Sequence, residues 1–153
     1  MSDAITLVSR REFCAGACCA AIATVASACG GDGPNSPSAP ATTLGKLNGQ
    51  FSGSSVRVNT AGTALDNVGG AALVESVAGV FLLSRSGASS FGALDAVCTH
   101  EGCTITGAAG DIYVCPCHGS RYNQNGQVVN GPAKANLRQY ATSFSSGVVT
   151  ISI

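Results

Sequence analysis

Residues 71–103 read AALVESVAGVFLLSRSGASSFGALDAVCTHEGC. Three apolar runs stand in this stretch, at 71–77, 80–85 and 91–97, and Ser86-Gly87 supplies a turn pair between the last two. Each run is short and rich in Val, Leu or Phe, the residues that fit a pleated surface. Working outward, similar runs stand at 112–114, 127–129, 137–144 and 148–153, with turn pairs at Gly69-Gly70, Asn125-Gly126 and Ser146-Gly147. Residues 138–144 roughly alternate, as a half-buried strand should. No helical period is evident after residue 43, so residues 44–153 are predicted to form an all-β fold, a small sandwich or barrel. Twenty glycines and no tryptophan suit short strands joined by tight turns. The 153 residues leave room for one folded domain. Formal net charge is zero and no basic patch is present, so nothing points to nucleic acid.

The chemistry begins where two of the runs end. Cys98-Thr99-His100-Glu101-Gly102-Cys103 follows 91–97, and Cys115-Pro116-Cys117-His118-Gly119-Ser120 follows 112–114. Both histidines of the chain and four of its eight cysteines fall in these two boxes, which reads as a metal site. Loops at strand ends are presented by rigid sheet, which fixes ligand geometry. Thiolates are soft and charged, whereas imidazole is neutral. With Cys98 and Cys115 on one iron and His100 and His118 on the other, the imidazole-bound iron takes an incoming electron more readily. Exchanging two thiolates for two imidazoles raises such a centre to roughly −150 to +300 mV, against about −400 mV for all-cysteine plant-type clusters. A structural Cys/His zinc module uses the same ligand types and is the alternative, although zinc gives no role to the second cysteine of each box. No acid–base or nucleophile pair suggests that the chain converts a substrate alone, so an electron-transfer component is expected rather than a catalyst.

The sequence CTHEGC followed by CPCHGS resembles the Rieske proteins of cytochrome bc-type quinol-oxidising complexes and their relatives, over about residues 64–153. The resemblance implies a [2Fe–2S] cluster with Cys98, His100, Cys115 and His118 as ligands. It also implies a disulfide between Cys103 and Cys117 that ties the two loops together. Ser120 and Tyr122 match hydroxyl donors that tune the cluster, Ser120 toward a bridging sulfide and Tyr122 toward the sulfur of Cys98. Gly131-Pro132-Ala133 matches a proline loop that covers the cluster from a third side, which adds Pro132 to the cofactor-binding residues. Read without the resemblance, Tyr122 is a core aromatic, and Glu101, Arg121 and Lys134 are solvated surface charges. The chain departs from the respiratory subunits in two ways: only 14 residues separate His100 from Cys115, and a long apolar anchor helix is missing. Ring-hydroxylating oxygenases also carry such clusters, but normally without the second cysteine pair or an export signal.

The resemblance implies redox partner proteins. A quinol or partner enzyme would give the electron, and a cytochrome or copper protein would take it. The settings are a bc-type complex, a molybdenum oxidase with a small iron–sulfur subunit, or a free carrier. The first 28 residues fit an exported protein. Ser9-Arg10-Arg11-Glu12-Phe13 precedes an uncharged stretch at 13–31 and resembles a twin-arginine signal, a route for proteins folded around their cofactor. A retained membrane anchor is the other reading of this segment. Ala26-Ser27-Ala28-Cys29 reads as an ordinary A-x-A cleavage site or as a lipoprotein site with Cys29 lipidated, which would attach the chain to the membrane. Residues 29–43, rich in Gly, Pro and Ser, then read as a flexible tether. The expected place is the periplasm or the outer face of a bacterial cytoplasmic membrane.

Overall fold

The computed structural model describes residues 40–153; the signal, Cys29 and most of the tether lie outside the described residues. The first strands are β1 (Thr42–Thr43), β2 (Gly45–Asn48), β3 (Gln50–Ser52) and β4 (Ser55–Asn59), followed by a single 3-10 turn at Ala64–Asp66. Next come β5 (Ala71–Ser76), β6 (Gly79–Arg85), β7 (Phe91–Asp95), β8 (Gly107–Ala109) and β9 (Ile112–Val114). The chain ends with β10 (Arg121–Asn123), β11 (Val128–Asn130), β12 (Gln139–Tyr140), β13 (Thr142–Ser145) and β14 (Val148–Ser152). Three sheets result, ordered β1-β8-β9-β10-β11, β12-β7-β6-β5-β2 and β13-β14-β4-β3. The expected all-β fold is present. Among the described residues no helix is long and apolar enough to cross a membrane.

The sheet through β5, β6 and β7 explains why residues 71–95 read as almost continuous apolar runs. Successive side chains of a strand point to opposite faces, and here both faces are buried. Leu73, Leu82 and Leu94 enter one core, with Tyr113 and Tyr122 of β9 and β10. Ala72, Val74, Phe81, Leu83 and Ala93 enter a second, with Val56 and Val58 of β4 and Val149 and Ile151 of β14. Each fully buried Leu or Val contributes about 1.5–3 kcal/mol relative to exposure. Register is thereby fixed, because a slip of one residue would exchange the two sets.

Three expectations change in detail. The run at 91–97 leaves its sheet after Asp95, whose Oδ1 accepts the Val97 N–H at 2.9 Å. It then turns into a hairpin, with Val97 bridged to Thr104. The run at 137–144 is two strands: Tyr140 pairs with Ala93 in one sheet, and Thr142 pairs with Ile151 in another. Tyr140 is held at that crossing by an edge-on contact with Phe81, ring centroids 5.1 Å apart. The third change is an addition. Strands β1 to β4, β8 and β10 had no counterpart in the sequence reading, because they are short and rich in polar residues and glycine; in β4 this masks the alternation of buried Val56 and Val58 with exposed Arg57 and Asn59.

Candidate metal centre

Two loops of the same design meet at one end of the sheets, one between β7 and β8 and one between β9 and β10. In the first, Cys98 N–H donates to Cys103 O at 2.8 Å, and Gly102 N–H donates back to Cys98 O at 2.9 Å. In the second, Cys115 N–H donates to Ser120 O at 2.8 Å, and Gly119 N–H to Cys115 O at 3.1 Å. The glycine four residues after each leading cysteine makes this closure possible: Gly102 and Gly119 have φ of 76° and 70°, left-handed values that disfavour a Cβ. Cys103 and Cys117 form a disulfide between the loops, as expected, with Cα atoms 6.5 Å apart. Those two sulfurs are thereby unavailable as thiolate ligands.

The other pair is buried. Cys98 and Cys115 are 2% and 1% exposed, and their side chains hydrogen-bond to one another. Burial raises the Cys98 thiol pKa. Hydrogen bonds from the Tyr122 hydroxyl, the His100 N–H, Cys115 and Ser120 outweigh that and hold it below the ordinary thiol value. For Cys115 burial wins, aided by Cys98, and the thiol is pushed up despite the N–H groups of Cys117 and His118. Cys98 thus lies under a cage of hydrogen-bond donors, which favours its charged form. The imidazoles lie nearer the surface, with ring centroids 4.9 Å apart and planes at 83°. The His118 side chain is 47% exposed and that of His100 is 26% exposed.

Tyr122 is fully buried, and its hydroxyl lies 3.3 Å from Cys98 Sγ. It is thus both the core aromatic and the neighbour of Cys98 that the two readings anticipated. Burial first, and Cys98 second, push its pKa up, so the phenol keeps the proton it would donate. The Ser120 hydroxyl is also buried; it interacts with Cys98 and accepts the Ala133 N–H at 3.2 Å. The loop at 131–136 thus packs on the other two. A Cβ on Gly131 would stand 2.6 Å from Ser120 Cα, and Thr99 Oγ1 donates to Ala135 O at 2.6 Å. Pro132 sits half-buried within that loop.

Sequence reasoning missed two neighbours of the site. Glu101, read as a solvated charge, is 60% exposed, yet its carboxylate lies 3.6 Å from His118 Nδ1 and 3.9 Å from His100 Nε2. Nothing in the spacing marks this, because the contact depends on how the second loop is laid against the first. Thr99 was read only as part of its box, and its contacts to Tyr122 and Ala135 cross 23 and 36 residues of chain.

The residues fit an iron–sulfur cluster. Two soft sulfur donors and two imidazoles converge on one end of the domain, and His100 Nδ1 is buried with no hydrogen-bond partner among the described residues. A buried lone pair left unpaired is costly unless a proton donor or a metal takes it.

Fold and site together define a small all-β protein with a mixed sulfur–imidazole metal centre at its tip. A family model for the Rieske [2Fe-2S] domain matches residues 53–141. The chain belongs to that family, its cofactor is a [2Fe–2S] cluster, and the zinc alternative falls away. The cytochrome b6-f complex iron-sulfur subunit of Chlorobaculum tepidum is 40% identical over 65 residues, 42% of this chain and 36% of that protein. The mitochondrial Rieske subunit of the cytochrome b-c1 complex of Rattus norvegicus is 47% identical over 57 residues, 36% of this chain and 21% of that one. The matches thus span about a third or less of these two relatives. Among solved structures, the plasma membrane Rieske protein of Synechocystis PCC 6803 is similar at a TM-score of 0.49 and 28% identity, covering 54% of this chain and 86% of that one.

Proposed function

We propose that this chain carries one electron at a time, through a [2Fe–2S] cluster held by Cys98, Cys115, His100 and His118, between a quinol or partner oxidoreductase and a cytochrome or copper acceptor. When bound, such a cluster supplies a centre that gains or loses a single electron without bond rearrangement in the protein. The observation that carries the reading is the pairing of the two loops: sulfurs buried below, imidazoles exposed above, and a disulfide locking the loops together. The exposed imidazole side is where a partner can approach closely. The buried side keeps water from the thiolates, and Ser120 and Tyr122 offer hydroxyls to Cys98 there. Similarity to subunits of cytochrome b6-f and b-c1 complexes supports partners of the cytochrome kind. Export by the twin-arginine route to the outer face of the cytoplasmic membrane, with attachment through a lipidated Cys29 or the N-terminal segment, belongs to the same proposal. It rests on Arg10-Arg11, the uncharged stretch after them, and Cys29.

Replacing Cys98, His100, Cys115 or His118 singly by Ala tests the ligand set. Each variant is expected to lose its iron and its visible spectrum. A variant that keeps a normal two-iron spectrum removes that residue from the set.

A further inference from the structure

Tyr122 carries one hydroxyl proton and faces two acceptors. Its oxygen lies 3.3 Å from Cys98 Sγ and 3.0 Å from Thr99 Oγ1, and it accepts the Thr99 N–H at 3.2 Å. Thr99 cannot return the favour with its own hydroxyl proton. A carbonyl oxygen only accepts, so the 2.6 Å contact to Ala135 O commits that proton to the third loop. The remaining Tyr122–Thr99 contact therefore has Tyr122 as donor. Donation by Thr99 to Ala135 also polarises its oxygen and makes it a better acceptor. A thiolate at Cys98 is the charged competitor and takes the larger share.

We propose that Thr99 is a positioning residue that divides the Tyr122 proton between its own oxygen and the sulfur of Cys98, and so couples the third loop to the potential of the centre. This rests on Cys98 being a cluster ligand and Tyr122 its donor. A donor to the sulfur stabilises the reduced state, which carries the extra negative charge. Whatever withdraws the proton lowers the potential. Displacing Ala135 would free the Thr99 hydroxyl to donate to Tyr122, send the phenol proton wholly to Cys98, and raise the potential.

Redox titration of the full chain carrying its cluster tests this with Thr99→Val, Thr99→Ser, Tyr122→Phe and the Thr99→Val/Tyr122→Phe pair. Thr99→Val removes the competing oxygen at nearly constant shape and is expected to shift the midpoint upward. Thr99→Ser should match wild type, and Tyr122→Phe should shift downward. The double variant should match Tyr122→Phe alone, since no phenol proton is left to divide. An unchanged or lowered midpoint in Thr99→Val overturns the proposal. So does a shift that persists in full in the Tyr122→Phe background, or a Thr99→Ser variant that behaves like Thr99→Val. If Thr99→Val does not assemble, Thr99→Ala reads the same upward shift with the same consequences. A Tyr122→Phe midpoint equal to wild type would instead defeat the underlying assignment of Tyr122 as donor, and the partition with it.

Discussion

On the proposed ligand set, the surroundings of Cys98 decide how readily the centre accepts an electron. Two hydroxyls reach this sulfur, that of Tyr122 from β10 and that of Ser120 from the end of the second loop. A hydrogen bond to a charged acceptor is worth about 1.5–3 kcal/mol in total. Only the difference between redox states moves the potential, about 1 kcal/mol for each donor, and about 1.4 kcal/mol corresponds to 59 mV for one electron. Tyr122→Phe and Ser120→Ala are each expected to lower the midpoint by roughly 40–60 mV with the cluster retained. The pair should sum if the donors act independently, which redox titration of all three variants decides. These two residues were legible only through the family resemblance, which matches them to hydroxyl donors at the end of the second box and two residues beyond it. Within the protein, the Ser120 hydroxyl contacts Cys98 and the Ala133 N–H. Glu101 and Thr99 were not legible, because their contacts are made across loops that only folding brings together.

Among the elements, the three loops at the tip do the positioning, and their glycines separate two kinds of cost. Gly102 has a left-handed φ of 76°, and a Cβ there meets nothing within 4 Å. Gly102→Ala should therefore cost only the backbone penalty, about 1–2 kcal/mol. Gly131 also has a positive φ, of 97°, but its Cβ would stand 2.6 Å from Ser120 Cα and 3.0 Å from Gly119 O. Gly131→Ala should lose a further ~1–3 kcal/mol, because backbone must move to relieve the overlap. Urea unfolding of both variants measures the gap; equal losses would mean that the third loop does not press on the second. The disulfide acts on the same loops. Cys103 and Cys117 are 14 residues apart, and closing a loop of that size stabilises by about 3 kcal/mol. Cys103→Ser is expected to assemble a cluster but to unfold at lower denaturant, and a reductant should then have no further effect on it. The strands leading into the two boxes were legible as apolar runs, although β7 stops at Asp95, short of Cys98, whereas β9 runs directly to Cys115. The sheet switch between Tyr140 and Thr142 was not, since one alternating run serves two sheets without any break in its pattern.

Across the whole molecule, the middle sheet is what holds the tip to the rest, with a core on either face. Its strands β5, β6 and β7 were legible as apolar runs, but that both faces are buried follows only from which sheets cover it. Tyr113 of β9 lies deep in the first of these cores. Burial pushes its phenol up to about 12, and the nearby Ser84 hydroxyl only partly offsets this. The folded state thus favours the neutral phenol. The associated stability is complete below the ordinary value of 10 and is lost as pH climbs from there toward about 12. The sum is roughly 2–3 kcal/mol. Unfolding free energies at pH 9 and pH 11 should show wild type losing about half of that, on the order of 1.4 kcal/mol, more than Tyr113→Phe; parallel losses would place Tyr113 in contact with solvent.

The central claim is a two-iron centre bound by two thiolates and two imidazoles. Electron spin echo spectroscopy of the dithionite-reduced full chain tests it most directly, because it detects nitrogen bonded to the paramagnetic centre. The account predicts two irons per chain and two distinct histidine nitrogen couplings, both altered by labelling histidine with nitrogen-15. A reduced centre with no directly bonded nitrogen, or a purified chain that holds zinc in place of iron, would contradict it.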